Sequence, residues 1–232
     1  MQIPIIKTVK SKEQGIKIAQ ELILRNISPE TVLFLSGGST PKPLYQALLQ
    51  EKNLKLGAAA IVDERFGKLM HDDSNEKMIA ETGLINFLKK QNIRFYKVLE
   101  DKEIDETTKD YDETVRFLLY QFKRSIGILG IGEDGHIAGL PAKSQISNLK
   151  SQMESAFVKS VNDFPGASKE RITMTVLALS MLDQIIVLAF GKEKKKALKK
   201  MLEEGPIEEI PARFLTQKGI AEKTTIITDQ KI

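Results

Sequence analysis

His136 stands in the run Gly130-Ile131-Gly132-Glu133-Asp134-Gly135-His136-Ile137-Ala138-Gly139-Leu140-Pro141, and it is one of only two histidines in the chain. An imidazole, with an ordinary pKa of about 6.5, changes charge near neutral pH and can take up a proton and return it within one reaction cycle. Asp134, two positions earlier, can orient that ring or stabilise its cationic form, although its spacing equally suits a structural role in the turn. The surrounding glycines let the backbone turn sharply and a ligand approach closely. A solvent-exposed strand-to-helix turn with an incidental histidine is the plainer alternative.

A second constellation is Ser36-Gly37-Gly38-Ser39-Thr40-Pro41, which leads into the helical pattern Leu44, Tyr45, Ala47, Leu48. Pro41 suits the first turn of that helix. The unpaired N–H groups there, with the Ser39 and Thr40 hydroxyls, make a cradle for an anion, and phosphate is its natural guest. The glycine-lysine-hydroxyl ending of the nucleotide P-loop is missing and the glycine spacing is not that of the dinucleotide fingerprint. An ordinary capped helix start would use the same hydroxyls. The third constellation, Asp63-Glu64-Arg65, offers carboxylates for proton handling or for holding a sugar hydroxyl, and a guanidinium fork for phosphate or carboxylate. His71, beside Asp72 and Asp73, reads as a solvated loop histidine rather than a metal ligand, since no nearby histidine completes a usual ligand set.

The elements that must position these groups are legible as alternating patterns. Residues 31–35, 58–62, 125–129, 184–190 and 224–228 are short and nearly continuously apolar, as in strands covered on both faces, and so predict a parallel sheet. Between them Ile16, Ala19 and Ile23 recur at helical spacing, and Tyr111, Val115, Leu118 and Phe122 step by four, three and four along one face of a longer helix. The order predicts a doubly wound α/β layer structure, mostly parallel, with helices on both faces. All three constellations then stand at carboxyl ends of strands, where ligands bind in open α/β sheets. No repeat or linker divides the chain, so one domain over residues 1–232 is expected. The loosest stretch is 142–169, around an edge strand at 156–161.

Composition narrows the function classes. The absence of cysteine excludes disulfides, thiolate metal sites and cysteine nucleophiles. The net charge of +4 is local: Lys192, Lys194, Lys195, Lys196, Lys199 and Lys200 contribute six positives, without which the balance is −2. No aromatic residue is interleaved with them, so no base-stacking platform and no nucleic-acid partner is expected. No apolar run reaches about 18 residues, and the initial one is too short for a signal peptide, so no membrane partner is expected and a cytoplasmic location is the default.

Read in order, LFLSGGSTPKPLYQAL at 33–48, VDERF at 62–66, DSN at 73–75, GILGIGEDGHIAGLP at 127–141, RITMT at 171–175 and VLAFGKEKKKALKKML at 187–202 resemble the 6-phosphogluconolactonase family, within the wider group that includes glucosamine-6-phosphate deaminase. The resemblance implies a Rossmann-like domain, a sugar 6-phosphate lactone as ligand, no metal and no cofactor. The implied reaction is hydrolysis of 6-phospho-D-glucono-1,5-lactone in the oxidative pentose phosphate pathway. By position His136 becomes the acid/base group, with Asp134 and Asp63 beside it as catalytic candidates. The Ser36, Gly37, Gly38, Ser39, Thr40 turn becomes the phosphate cradle, and Arg65, Arg171 and Lys194 its cationic partners. These should converge on one anion, with His136 a sugar length away. A monomer is the default expectation.

Lactone opening needs a base for the attacking water, donors for the developing oxyanion and an acid for the leaving ring oxygen; one histidine can perform both proton transfers. Lys194 lies at a helix start where its ammonium can reach a phosphate, while Ala197, Leu198, Met201 and Leu202 pack the helix down and the other lysines are solvated. Two departures from the lactonase pattern stand out. The run after His136 is one residue shorter and lacks an aromatic before Pro141, and Ile61 replaces an aromatic before the Asp-Glu-Arg triplet. The deaminase pattern carries a glutamate where this chain has Pro141 and a tyrosine where it has Arg65, which favours the lactonase. A sugar-phosphate-binding regulator without catalysis is the remaining rival, against which the intact Asp134 and His136 speak.

Overall fold

A run such as Thr-Val-Leu-Phe-Leu has almost nothing to offer water, so it is stable as a strand only with both faces covered. In the computed structural model of the chain, which describes residues 2–142 and 155–232, that run forms the fully buried strand β2 (Thr31–Leu35). It lies within a seven-stranded sheet built also from β1 (Ile5–Thr8), β3 (Ala58–Ile61), β5 (Arg94–Tyr96), β6 (Arg124–Gly130), β9 (Gln184–Ala189) and β10 (Thr224–Thr228). The strand order is β1-β10-β9-β6-β2-β3-β5, and every neighbouring pair is parallel. From β2 the chain builds outward through β3 to β5. It then returns to the other side of β2 and builds through β6, β9 and β10. The crevice between the carboxyl ends of β2 and β6 is therefore a topological switch point, the place where such sheets bind ligands.

Helices α1 (Lys12–Asn26), α2 (Lys42–Leu48), α3 (Asn75–Glu81), α4 (Leu84–Lys90), α5 (Ile104–Gln121), α6 (Val176–Ser180) and α7 (Lys194–Met201) pack around the sheet. Ser11 caps α1 by accepting from the Gln14 N–H, and Ile16, Ala19 and Ile23 form its buried face. In α5 the buried positions are Thr107, Tyr111, Val115 and Leu118, with Phe122 just beyond the last turn. The Tyr111 hydroxyl donates to the Ile61 carbonyl and accepts from the Ile61 N–H at 2.9 Å, pinning the end of β3 two residues before Asp63. The buried apolar residues other than Leu99, Phe164 and Ala221 form one contiguous cluster. No helix among the described residues is long and apolar enough to cross a membrane.

The Asp-Glu-Arg triplet follows β3 after Val62 and has a structure of its own. It is a strand, β4 (Asp63–Arg65), of a second, antiparallel sheet of order β4-β8-β7, completed by β8 (Arg171–Met174) and β7 (Val158–Val161). Val62 joins the two sheets: its N–H donates to the Leu35 carbonyl at 2.9 Å, and its own carbonyl accepts from the Met174 N–H at 2.9 Å. The edge strand expected at 156–161 is β7, while 143–154 of the loose stretch lie outside the described residues. Strands β1 and β5 were not expected. Both lie on sheet edges, where one flank is open and polar residues are tolerated; Ile5 in β1 is 55% exposed.

Candidate active site

The turn leaving β2 is shaped by what lies beneath it. Ser36 is buried, and its carbonyl accepts from the Tyr45 hydroxyl at 2.6 Å. A Cβ on Gly37 would lie 1.7 Å from Asn75 Oδ1, so only glycine lets the turn lie against the Asn75 amide. Gly38 has φ +89°, in the left-handed region. The residue before α2 is Pro41, and no side chain caps that helix. The Ser39 and Thr40 hydroxyls are thus not consumed by a helix cap, unlike those of an ordinary capped start.

Two cations arrive from the second sheet. Arg65 and Arg171 are directly opposed across the β4–β8 ladder, which places their side chains on one face. Arg65 Nη1 donates to the Asp73 carbonyl at 2.5 Å, while Arg65 Nε is buried with no hydrogen-bond partner. Arg171 is 9% exposed and donates through Nε to the Ser168 carbonyl at 3.2 Å. Its Nη1 lies 3.7 Å from Asp63 Oδ2, and its guanidinium stacks 4.1 Å from the Phe164 ring centre. Burial, and then the charge of Arg65, push the Arg171 pKa down. Like charges placed opposite each other destabilise a ladder, and a bound anion would remove the repulsion. Lys194 opens α7, which follows the carboxyl end of β9, and is half-buried where Lys192, Lys195, Lys196 and Lys199 are exposed.

The turn after β6 carries the imidazole. His136 Nδ1 lies 2.7 Å from Asp134 Oδ1, and the same oxygen accepts from the His136 backbone N–H at 3.1 Å. The hydrogen bond from His136 is the main cause that pulls the Asp134 pKa down to about 2. With the Nδ1 proton given to a carboxylate, Nε2 keeps its lone pair and is a proton acceptor. The ring lies close over Gly132, where a Cβ would be 2.1 Å from Nδ1. Its other neighbour is Phe164, edge-on at 5.2 Å between ring centres. Phe164 comes from the connection between β7 and β8.

The two carboxyls of β4 have different surroundings. Asp63 is 6% exposed, and burial pushes its pKa up against the opposing influence of Arg171, Arg65 and His136. Glu64 faces the other way. Its carboxylate accepts from the N–H groups of Arg65 at 2.7 Å, Asn75 at 2.6 Å and Glu76 at 2.8 Å, and from the Ser74 hydroxyl at 3.1 Å. Its hydrogen-bonding capacity is used in anchoring the start of α3 to β4, which excludes the proton-handling and sugar-holding options left open for Glu64. His71 is half-buried rather than solvated: its Nε2 lies 2.9 Å from the Arg65 carbonyl and closes the 66–74 loop. Among the described residues no group of three or more His, Asp or Glu is arranged to hold a metal ion.

Ser36, Gly37, Gly38, Ser39, Thr40, Asp63, Arg65, Asp134, His136, Arg171 and Lys194 all line one cavity of about 480 Å³. Two further lining residues, Asn75 and Phe164, were not singled out as site residues from the sequence. Asn75 Nδ2 donates to the Asp63 carbonyl at 2.6 Å, while its Oδ1 is buried beside Gly37 with no hydrogen-bond partner. A larger cavity of about 640 Å³, lined by residues of α3, α4, β5 and α5, contains none of these groups.

A parallel sheet with a glycine turn, three cations and an acid–histidine pair about its switch point is an α/β arrangement whose chemistry suits a small anion beside a proton-transfer group. Residues 12–226 match the family described as glucosamine-6-phosphate isomerases/6-phosphogluconolactonase, and the chain belongs to that family of sugar-phosphate enzymes. It is 30% identical over 224 residues to a glucosamine-6-phosphate deaminase of Streptococcus equi subsp. zooepidemicus, covering 90% of this chain and 91% of that protein. To a 6-phosphogluconolactonase of Helicobacter pylori it is 34% identical over 190 residues, covering 80% and 78%. The fold is that of the solved 6-phosphogluconolactonase from Plasmodium vivax, with a TM-score of 0.80 at 22% identity over 98% of this chain and 91% of that one.

Proposed function

We propose that the chain hydrolyses 6-phospho-D-glucono-1,5-lactone to 6-phosphogluconate, in the cytoplasm and as a step of the oxidative pentose phosphate pathway. The observation that carries the reading is the opposed Arg65–Arg171 pair, sharing one cavity with the Asp134–His136 pair. Such a cation pair suits a phosphate, and a phosphate held away from the reacting carbon supplies positioning energy. His136 Nε2 takes the proton of the water that attacks the C1 carbonyl, Asp134 stabilises the imidazolium, and the same proton then goes to the departing ring oxygen. Asp63 holds Arg171 in place and accepts from a sugar hydroxyl. The Ser36–Thr40 turn and Lys194 complete the phosphate site.

Glucosamine-6-phosphate deamination is the second reading, favoured by the Streptococcus relative. Against it stand Pro141, which offers no carboxylate, and Arg65 in place of a tyrosine. Two assays on one preparation separate them: acid production from freshly made 6-phosphogluconolactone, scored against spontaneous hydrolysis, and ammonia release from glucosamine 6-phosphate. Acceleration of the first alone is expected. No acceleration at micromolar enzyme would sink the lactonase reading.

A further inference from the structure

Phe164 is the one buried residue in the 162–167 stretch between β7 and β8; its neighbours on both sides are exposed. At 5% exposure it is as buried as a core residue, yet it lies outside the contiguous apolar cluster that makes up the core. Its ring sits instead between two polar groups of the cavity. One is the His136 imidazole, edge-on at 80° and 5.2 Å, and the other is the Arg171 guanidinium, 4.1 Å from the ring centre. Burying an aromatic ring in a loop against a cation and an imidazole contributes little to the core; what it contributes is position.

The loop around it is held to match. The Phe164 N–H donates to the Lys169 carbonyl at 2.9 Å, closing the turn. Ser168 donates through Oγ to Asp73 Oδ2 at 2.8 Å and accepts at its carbonyl from Arg171 Nε at 3.2 Å. Asp73 in turn accepts at its carbonyl from Arg65. The ring is therefore fixed to the same framework that holds both arginines.

We propose that Phe164 is a positioning residue that sets the spacing between the Arg171 anion subsite and the His136 proton-transfer subsite, and so selects ligands whose phosphate and reacting carbon lie that far apart. This rests on the reading that both groups act on one phosphorylated ligand. The ring face holds the guanidinium by cation–π attraction, and the ring body limits the positions open to the imidazole. A leucine would fill much of the volume without a π face, whereas a tyrosine keeps the face.

The test compares Phe164→Leu, Phe164→Met and Phe164→Tyr. Binding of inorganic phosphate and the His136 ring proton resonances are followed, with His71 as internal control, and kcat and KM are measured on the lactone. Loss of the face in the Leu and Met variants is expected to weaken phosphate about five- to tenfold. It should also move the His136 signals but not those of His71, raise KM and lower kcat; the Tyr variant should stay within about twofold of the parent in all of these. A Leu or Met variant with the parent's melting temperature, phosphate affinity and His136 signals overturns the proposal. The phosphate and resonance measurements need no turnover. A parent without lactonase activity whose phosphate and His136 responses still depend on Phe164 sinks only the functional reading.

Discussion

Gly37→Ala puts a methyl group where the Asn75 side chain already is. The added Cβ would stand 1.7 Å from Oδ1, 2.1 Å from Cγ and 2.6 Å from Nδ2 of Asn75, all far inside van der Waals contact. The turn cannot absorb this by a small side-chain adjustment, because the Asn75 amide is buried and its Nδ2 is bonded to the Asp63 carbonyl at 2.6 Å. Either the β2–α2 turn moves outward or the amide swings away and leaves that carbonyl unpaired. Overpacking costs about 1–3 kcal/mol and an orphaned buried acceptor about 1–3 kcal/mol, so by either route a loss of about 1–3 kcal/mol is expected. Against a typical stability of about 5–15 kcal/mol the variant still folds. Urea denaturation of Gly37→Ala, Asn75→Ala and the double variant makes the test. Asn75→Ala removes all three clashing atoms, so in that background the Gly37 substitution should cost under about 1 kcal/mol, with a coupling of about 1–3 kcal/mol. Additivity of the two substitutions within about 0.5 kcal/mol would refute the account of why glycine stands here.

Three further outcomes follow from the cavity. His136→Asn should lower lactone turnover by about 10²–10⁴-fold while 6-phosphogluconate binding, measured by calorimetry, stays within about threefold. Asp134→Asn should lower kcat by about 10²-fold or more in the same assay, since the imidazole loses the charge that stabilises its cation. Because Asp134 titrates near 2 in the folded chain, below its ordinary 3.8, its contribution to stability is present above about pH 4 and lost as pH falls through about 2. Its side chain is 42% exposed, so that contribution is under about 1 kcal/mol, and acid-denaturation curves of parent and Asn variant should converge toward pH 2. Lys194→Ala should weaken 6-phosphogluconate by about 1.5–3 kcal/mol and leave binding of an unphosphorylated lactone nearly unchanged; equal losses for both would remove Lys194 from the phosphate site.

The main sheet was legible because its inner strands carry a signal that survives without context. Strands covered on both faces must be apolar throughout, and β2 and β10 run over the same residues as the apolar runs that predicted them. Helix α1 was legible for the complementary reason that one face is buried at a period of 3.6. The second sheet carried no such signal beyond β7, the strand expected at 156–161. Three- and four-residue strands hold too little alternation to establish a period, and β4 buries an aspartate and a glutamate on opposite faces, a pattern that reads as a polar loop until its partners are known. The structural duty of Glu64 is equally hidden, since three of its four donors lie ten to twelve residues further along the chain.

Residues that line the cavity could be picked out one at a time, because glycine turns, hydroxyls and a histidine after apolar runs each suggest a chemistry. What brings them together is the pairing of two different kinds of sheet. The parallel sheet delivers the 36–40 turn, the 130–141 turn and the start of α7 to one edge, as strand order at a switch point requires. It cannot deliver Arg171, whose place depends on the antiparallel register that sets it opposite Arg65. Val62, bonded to both sheets, ties the two frames together immediately before Asp63. Phe164 then carries that second frame across the cavity to the imidazole of the first. The distance between the Arg171 guanidinium and the His136 imidazole is therefore set by contacts between elements far apart in sequence, and no local pattern of residues could have shown it.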